Sequence, residues 1–194
     1  MPSTRRSLLT AFLTLPLIDA ARMRAYAQAA PELPLTLSCD DGDELTLERE
    51  AGPFFRPNSP LERDLYPDAP GGERITVAGF VFDNRCRPLA GSLVELWQAD
   101  ENGDYDGVGF RLRGHQFTDT QGRWWFNTIV PALYPGRTRH FHFKVQRPGG
   151  SVLTTQLYFP GEVRNEEDRL FHPKLLLNMT HTGDGRFAQF DFVV

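Results

Sequence analysis

The chain has 194 residues and a formal net charge of −4, which suits a single domain with a sizeable hydrophobic core. Its basic residues form no run beyond the N-terminus, so nucleic-acid binding has no support. The 15 phenylalanines and 15 prolines favour a β-rich fold with many loops.

Residues 1–29 have the pattern of an export signal. Arg5 and Arg6 precede an apolar run that ends near Ile18, and small residues follow within 25–30. Adjacent arginines are typical of a twin-arginine signal, and the apolar run is too short for a stable membrane anchor. We therefore expect an exported protein, periplasmic or extracellular. The alternative is an amphipathic helix that stays on the mature chain.

The next stretch, residues 30–72, is rich in Pro, Gly and acidic residues and predicts an extended N-terminal arm. A single helical turn is predicted near 44–49. The rigid aromatic segment 52–57 is expected to pack across the main body. An exported protein can form disulfides, but the sequence leaves open whether Cys39 and Cys86 are close enough to do so.

From residue 73 to residue 194, short strand patterns alternate with turn signals. The predicted strands cover residues 74–82, 92–98, 123–128, 139–147, 152–159 and 186–194. A brief helix is predicted at 165–171. Short strands at this spacing indicate a mainly β fold, an antiparallel β-sandwich with little helix.

The predicted strand 139–147 contains a His-x-His motif. Strand alternation places His140, His142 and Lys144 on one face, so two imidazoles can reach a single metal ion. The alternative is a solvent-facing pair on a half-buried strand. The opposite face carries Phe141, Phe143 and Val145.

Two tyrosines lie in loops where a core would not need them. Tyr105 follows a turn-rich segment, and Tyr134 stands shortly before the histidine strand. Each alone is interpreted as an ordinary aromatic that covers a loop. Two phenolates and two imidazoles together suit a hard ion such as ferric iron, and the absence of a nearby cysteine argues against a thiolate–zinc centre.

Further motifs follow one another along the chain. They are Gly52-Pro53-Phe54-Phe55, Pro88-Leu89-Ala90-Gly91, the segment 94–99, Gly103-Asp104-Tyr105, Arg113-Gly114, Thr118-Asp119, Gly122, Pro131, Tyr134-Pro135, His140-Phe141-His142 and the segment 155–159. In this order the set resembles the intradiol ring-cleavage dioxygenases, the family of protocatechuate 3,4-dioxygenase and catechol 1,2-dioxygenase. The resemblance covers about half of the mature chain.

The resemblance implies a mononuclear non-haem Fe(III) centre. The implied ligands are Tyr105, Tyr134, His140 and His142. Tyr134 is expected to leave the metal and help to take up a proton when a catechol-type substrate binds. Arg137 would stabilise carbanionic character on the ring, and Gln156 would lie near the oxygen site. The implied reaction inserts both atoms of O2 and cleaves between the two hydroxylated carbons, which gives a cis,cis-muconate-type product.

Two other functions remain open at this stage. Some of the motifs also occur in non-catalytic transthyretin-like β-sandwiches, so a binding module is the main alternative. The other is a copper or zinc hydrolase that uses the two histidines. The sequence does not identify the diol, although Arg111 or Arg113 could face a carboxylate on it, and it leaves a homo-oligomer open.

Overall fold

A computed structural model of the chain describes residues 44–182 and 185–194. The described strands are β1 (Arg74–Phe82), β2 (Leu93–Trp97), β3 (Arg113–Phe117), β4 (Arg123–Ile129), β5 (His140–Gln146), β6 (Val152–Tyr158), β7 (Asn178–Thr182), β8 (Gly185–Gln189) and β9 (Phe192–Val193). The predicted signal segment and Cys39 lie outside the described residues. Cys86 is disulfide-bonded.

The strands form two sheets, which confirms the predicted mainly β sandwich. One sheet has the order β4-β1-β8-β7, with β9 also paired to β1, and the other has the order β3-β2-β5-β6. The predicted antiparallel pairing predominates, but β1 pairs in parallel with β8 and β9. The other strand pairs are antiparallel.

The core lies between the two sheets and is rich in aromatic side chains. Phe141, Phe143 and Val145 of β5 are all fully buried, so the predicted apolar face of this strand does face the core. Phe143 packs edge-on against Trp124 of the opposite sheet, with ring centroids 5.3 Å apart. Strand alternation therefore points His140, His142 and Lys144 away from the core.

A close backbone approach joins β1 to the segment between β8 and β9. Phe190 N donates to Ala78 O at 3.0 Å, and Phe80 N donates to the Asp191 carboxylate at 3.0 Å. A Cβ on Gly79 would lie only 1.8 Å from Phe190 O. Glycine is therefore required at this point for the C-terminal strands to lie along β1.

Strand β3 was not predicted, because its sequence is polar and contains a glycine. It lies at one edge of its sheet, where the backbone of residues 60–62 pairs with it through His115. A Cβ on Gly114 would lie 2.3 Å from Glu62 O, so this glycine admits the covering segment. Strand β7 was also missed. It forms by pairing with β8, and its own sequence has no apolar alternation that would predict a strand.

The two predicted helical segments are not helices. Residues 44–49 have no regular secondary structure, and Thr46 N and Arg49 N donate to backbone carbonyls of Val193 and Thr154. Around 165–171 the chain forms only a 3-10 turn, Val163–Asn165, followed by further turns. Two other 3-10 turns are described, Tyr66–Asp68 and Pro173–Leu175. No helix in the described part of the chain is long and apolar enough to cross a bilayer.

Residues 44–57 are the part of the predicted 30–72 arm that contacts the sheet β3-β2-β5-β6, and we call them the arm. Residues 44–49 run along the edge strand β6, and residues 50–57 cross the outer face of the sheet. The arm is tied to β6, because the Thr155 hydroxyl donates to Leu47 O at 2.7 Å and Gln156 Nε2 donates to Glu50 O at 2.7 Å. Lys144 Nζ lies 3.7 Å from the centre of the Phe55 ring. The face of β5 that bears the histidines is therefore covered rather than open to solvent.

Candidate active site

Three side-chain atoms capable of binding a metal meet on the outer face of β5. The Nε2 atoms of His140 and His142 lie 3.1 Å apart. The Tyr105 hydroxyl lies 3.2 Å from His140 Nε2 and 3.0 Å from His142 Nε2. The two histidines are only 4% and 3% exposed, so the solvent-facing alternative is excluded.

The protein orients the two imidazoles in different ways. His140 Nδ1 lies 2.6 Å from Thr138 O, and because a carbonyl only accepts, this contact places the proton on Nδ1 and leaves the Nε2 lone pair free. His142 stacks on Trp97 with ring centroids 4.9 Å apart and planes 9° apart. Its Nδ1 has no hydrogen-bond partner among the described residues. Stacking therefore fixes the plane of the second ring, and the Tyr105 hydroxyl lies within hydrogen-bond distance of its Nε2.

Burial sets the protonation states of the three groups. It lowers the pKa of His140 to about 4, with a smaller contribution from the Arg137 cation, and it lowers the pKa of His142 well below its usual value. Burial raises the pKa of the Tyr105 phenol, an effect that Arg137 opposes. Both imidazoles are therefore neutral at pH 7, and the phenol must lose its proton when a metal binds.

Two aspartates shape the loop that carries Tyr105. Asp100 Oδ1 accepts hydrogen bonds from Asn102 N and Asp104 N at 2.8 and 3.0 Å. Asp106 accepts from three backbone amides further along the loop at 2.7–2.9 Å. Such side-chain turns fix a loop without secondary structure, so Tyr105 is held from both sides.

A tight turn brings Tyr134 and Arg137 to the same cavity. Arg137 N donates to Tyr134 O at 3.1 Å, and Gly136 has φ 76°. Proline followed by a glycine with positive φ is typical of a type II turn. The Tyr134 ring lies edge-on to the Tyr105 ring, with centroids 5.7 Å apart.

The arm supplies the wall opposite the histidines. The Phe54 ring stacks on the Tyr105 ring with centroids 4.5 Å apart and planes 4° apart. Phe54 O accepts a hydrogen bond from Arg113 Nη1 at 2.8 Å. At Gly52, where φ is +70°, an added Cβ would lie 3.6 Å from His142 Cε1. The arm thus lies against Tyr105 at Phe54 and against His142 at Gly52.

Together these elements enclose a cavity of about 170 Å³. All of the predicted site residues line it: Tyr105, Tyr134, Arg137, His140, His142 and Gln156. Arg137 Nη2 donates to Gln156 Oε1 at 2.6 Å. The nearby Arg139 turns away from the cavity and pairs with Glu162 at 2.6 Å.

The arginines suggested for a substrate carboxylate do not line the cavity. Arg113 is buried and donates to the carbonyls of Phe54 and Asp106, while Arg111 pairs with Asp100 at 2.7 Å and with Glu101. Both are committed to holding loops. The cavity's second arginine is Arg169, whose side chain is largely exposed.

Sequence reasoning missed several contributors to this site. Trp97, to which the sequence analysis assigned no role at the site, stacks on His142. Glu50, Arg169 and Leu170 line the cavity, and no motif singled them out. Only the Gly-Pro-Phe-Phe segment pointed to the arm, because its rigidity and aromatic content suggested packing across the body.

The donor set fits a ferric ion. In the described residues no three His, Cys, Asp or Glu side chains converge on one point. The Tyr105 phenol, which contacts both imidazoles, is the third atom here that could serve as a donor. The three donor atoms lie 3.0–3.2 Å from one another, close enough for a single ion to contact all of them. One phenol oxygen with two imidazoles, and Tyr134 bordering the same cavity, favours a hard ion over the softer thiolate-bound metals.

Comparison with known proteins gives the same family throughout. A family model described as Dioxygenase matches residues 50–194. The protocatechuate 3,4-dioxygenase beta chain of Burkholderia cepacia is 33% identical over 169 residues, which cover 70% of this chain and 72% of that one. The catechol 1,2-dioxygenase of Candida albicans is 32% identical over 139 residues, which cover 55% of this chain and 45% of that one.

A solved structure agrees in both fold and sequence. The dioxygenase domain of a dioxygenase–carbohydrate-binding protein fusion from Streptomyces sp. SirexAA-E superposes with a TM-score of 0.76 at 52% identity, covering 78% of this chain and 98% of that one. Given the matched residues, the shared sandwich and the site on its outer face, this chain belongs to the intradiol ring-cleavage dioxygenase family.

Proposed function

We propose that the protein is a non-haem Fe(III) dioxygenase that inserts both atoms of O2 into a catechol-type diol and cleaves between the two hydroxylated carbons. One observation carries the proposal: three lone-pair atoms lie within 3.2 Å of one another at the wall of a cavity. A guanidinium and an amide, those of Arg137 and Gln156, line the same cavity. When bound there, ferric iron would act as a Lewis acid that makes the diolate electron-rich.

The protein's own residues would bind and position the reactants. His140 and His142 are held neutral by burial and so can donate lone pairs at neutral pH. Tyr105 supplies the charged oxygen once its proton has left. Tyr134 borders the same space. Its phenolate form would take up a proton from the incoming diol and become a neutral phenol.

Arg137 would supply positive charge where the ring becomes electron-rich. Its side chain is 20% exposed, so its charge is only partly screened by water. A cation fixed beside the ring stabilises developing negative charge without having to move. Gln156 is fixed by Arg137 on one side and by Glu50 O on the other, so its amide is also a stationary group.

The size of the cavity limits the substrate. At about 170 Å³ it is smaller than the roughly 300–1,000 Å³ of sites for drug-sized ligands, so it suits a diol with one aromatic ring. The relatives act on catechol, hydroxyquinol and protocatechuate according to their names. These three compounds form the first panel to test.

The test is a visible absorption spectrum of the purified protein, with metal analysis, before and after anaerobic addition of catechol. We expect about one iron per chain, a broad phenolate-to-iron band, a shift of that band with the diol, and ring-opened diacid after O2 is admitted. A protein that stays colourless after ferric reconstitution would leave a non-catalytic binding module. Zinc or copper in place of iron would indicate the hydrolase alternative.

We also propose that the protein is exported by the twin-arginine route, because Arg5 and Arg6 precede a short apolar run. That route carries folded proteins, so iron would be bound before export. Cell fractionation and N-terminal sequencing check this. Full-length protein confined to the cytoplasm would contradict it.

A further inference from the structure

A buried carboxylate outside the cavity holds the arginine that lines it. The Asp168 side chain is only 1% exposed. Its Oδ2 accepts hydrogen bonds from Arg137 Nε and Thr138 N, both at 2.8 Å, and its Oδ1 accepts from Leu170 N at 2.9 Å. Asp168 does not line the cavity, so a bound diol would not touch it.

Asp168 is charged at neutral pH. Its burial would raise the pKa, but the hydrogen bonds from Leu170 N, Thr138 N and Arg137 outweigh burial and hold the pKa below its usual range. A buried carboxylate with a cation and two backbone amides is a well-compensated group. It therefore presents a fixed negative charge to one edge of the Arg137 guanidinium.

The other edge of the guanidinium is fixed as well. Arg137 Nη2 donates to Gln156 Oε1 at 2.6 Å. The Tyr158 hydroxyl lies 3.0 Å from the same oxygen and donates to Leu170 O at 2.7 Å. Asp168 and Gln156 thus grip the guanidinium from two sides. Without Asp168, only the contact to Gln156 would restrain it.

We propose that Asp168 is a positioning residue for the ring-cleavage reaction, which fixes the Arg137 guanidinium beside the bound diol. The inference rests on the proposed function, because it assigns Asp168 an effect on the diol that passes through Arg137 alone. An arginine otherwise loses much side-chain entropy when it adopts one orientation. Its ion pair with Asp168 supplies that restraint in the folded protein.

The experiment compares Asp168→Asn with Asp119→Asn. Asp119 has the same set of partners, an arginine Nε at 2.6 Å and two backbone amides, but it lies in the turn between β3 and β4, away from the cavity. Since a misplacement of about 1 Å can cost about 100-fold in rate, we expect Asp168→Asn to lower kcat by about 10- to 100-fold with little change in KM. Asp119→Asn should stay within about twofold of the wild type.

A double-mutant cycle separates positioning from a general structural role. In an Arg137→Ala background, Asp168→Asn should change kcat by less than about twofold, because the group that it positions is absent. An equal loss of kcat in both backgrounds would overturn the proposal. If Asp168→Asn does not fold, Asp168→Glu keeps the charge and displaces the carboxylate, and the same pattern is expected of it.

A readout on the metal-free protein makes the test independent of turnover. The Arg137 Nε–H signal, identified by its loss in Arg137→Lys, should exchange slowly with water in wild type and in Asp119→Asn, and rapidly in Asp168→Asn. Slow exchange that survives in Asp168→Asn would show that the carboxylate does not restrain Arg137. A wild type that holds Arg137 in this way but turns over no diol would refute the proposed function and leave only the restraint.

Discussion

His140 and His142, two residues apart on one strand, are held in their orientations by different contacts. His140 is oriented by its hydrogen bond to Thr138 O, whereas His142 is oriented by stacking on Trp97. A hydrogen bond selects a tautomer, but a stacking contact selects only a plane. His140 is therefore the imidazole whose free nitrogen is decided before any metal arrives.

Tyr105→Phe tests the donor role of the phenol. The variant removes the oxygen but keeps the ring that stacks on Phe54, so we expect an unchanged fold. Affinity for iron should fall by more than the roughly 10- to 100-fold seen when a residue behind a metal ligand is removed. Iron content and the visible band should therefore both be much lower than in wild type.

Metal analysis, absorption and thermal unfolding measure these effects. Tyr66→Phe is the matched control, because the Tyr66 hydroxyl donates to Pro70 O on the surface and does not line the cavity. Full iron content in Tyr105→Phe would show that the phenol is not needed for binding.

At the residue scale the sequence could predict the side chains that would bind a metal, but not the residues that hold the site side chains in place. His140 and His142 are two residues apart, and strand alternation alone places them side by side. Asp168 meets Arg137 across 31 residues, and no local pattern records such a contact. Trp97 by its residue type alone would suit the core, because large aromatic residues are usually well buried, and only the sheet register places it beside His142.

Among the elements, β5 has one face that packs in the core and an opposite face that carries the two histidines of the cavity. Phe143 lies fully buried in an aromatic cluster with Trp124, Phe126 and Phe192. We expect Phe143→Ala to lower the free energy of unfolding by about 3–5 kcal/mol, because it leaves a cavity in a packed core.

Denaturant unfolding measures the effect of Phe143→Ala, with Val163→Ala as the control. Val163 is 84% exposed, so its truncation should change stability by less than about 0.5 kcal/mol. Equal effects of the two substitutions would mean that Phe143 does not pack as described.

The turn after β1 gives a prediction about pH. A hydrogen bond from the Arg87 side chain and others from backbone amides lower the pKa of Asp83 to about 2, below the value of about 3.9 in an unfolded chain. Its contribution to stability is therefore fully present above about pH 4 and is lost as the pH falls through about 2.

Unfolding of wild type and Asp83→Asn, measured from pH 6 down to pH 2, checks this. The stability difference should be constant at the upper end and should shrink between about pH 4 and pH 2. A difference that does not change with pH would exclude the ionised carboxylate as its source.

Strand prediction succeeded where a strand carries its own apolar alternation, as β1 and β5 do. It failed for β3, whose polar sequence is stabilised by its neighbours at the sheet edge. The helix predicted at 165–171 does not form. The Asp168 side chain there accepts hydrogen bonds from Leu170 N and from Arg137, and such side-chain bonds favour turns over a helix.

For the whole molecule, the core between the sheets and the site on the outer face are physically separate. We expect the protein to remain folded when iron is removed by a chelator, with a lower unfolding temperature. Binding to the folded state alone adds RT ln(1 + [L]/Kd), about 2.7 kcal/mol when free iron is 100 times Kd.

Calorimetry and circular dichroism of the metal-free and iron-loaded forms measure this difference. The matched comparison is Tyr105→Phe, whose unfolding temperature should barely respond to iron. A metal-free protein that has lost its β-sheet signal would show that the site and the core fold as one unit.

The arm over the histidines also affects how the site forms during synthesis. Glu50 emerges from the ribosome long before its partner Gln156, from which it is separated by 106 residues. At about 5–20 residues per second this interval lasts roughly 5–20 s. Tyr105 is synthesised about halfway through this interval, and His140 and His142 follow only near its end, shortly before β6 is complete. The nascent chain therefore offers iron no enclosed site until the last strand beneath the arm has been translated.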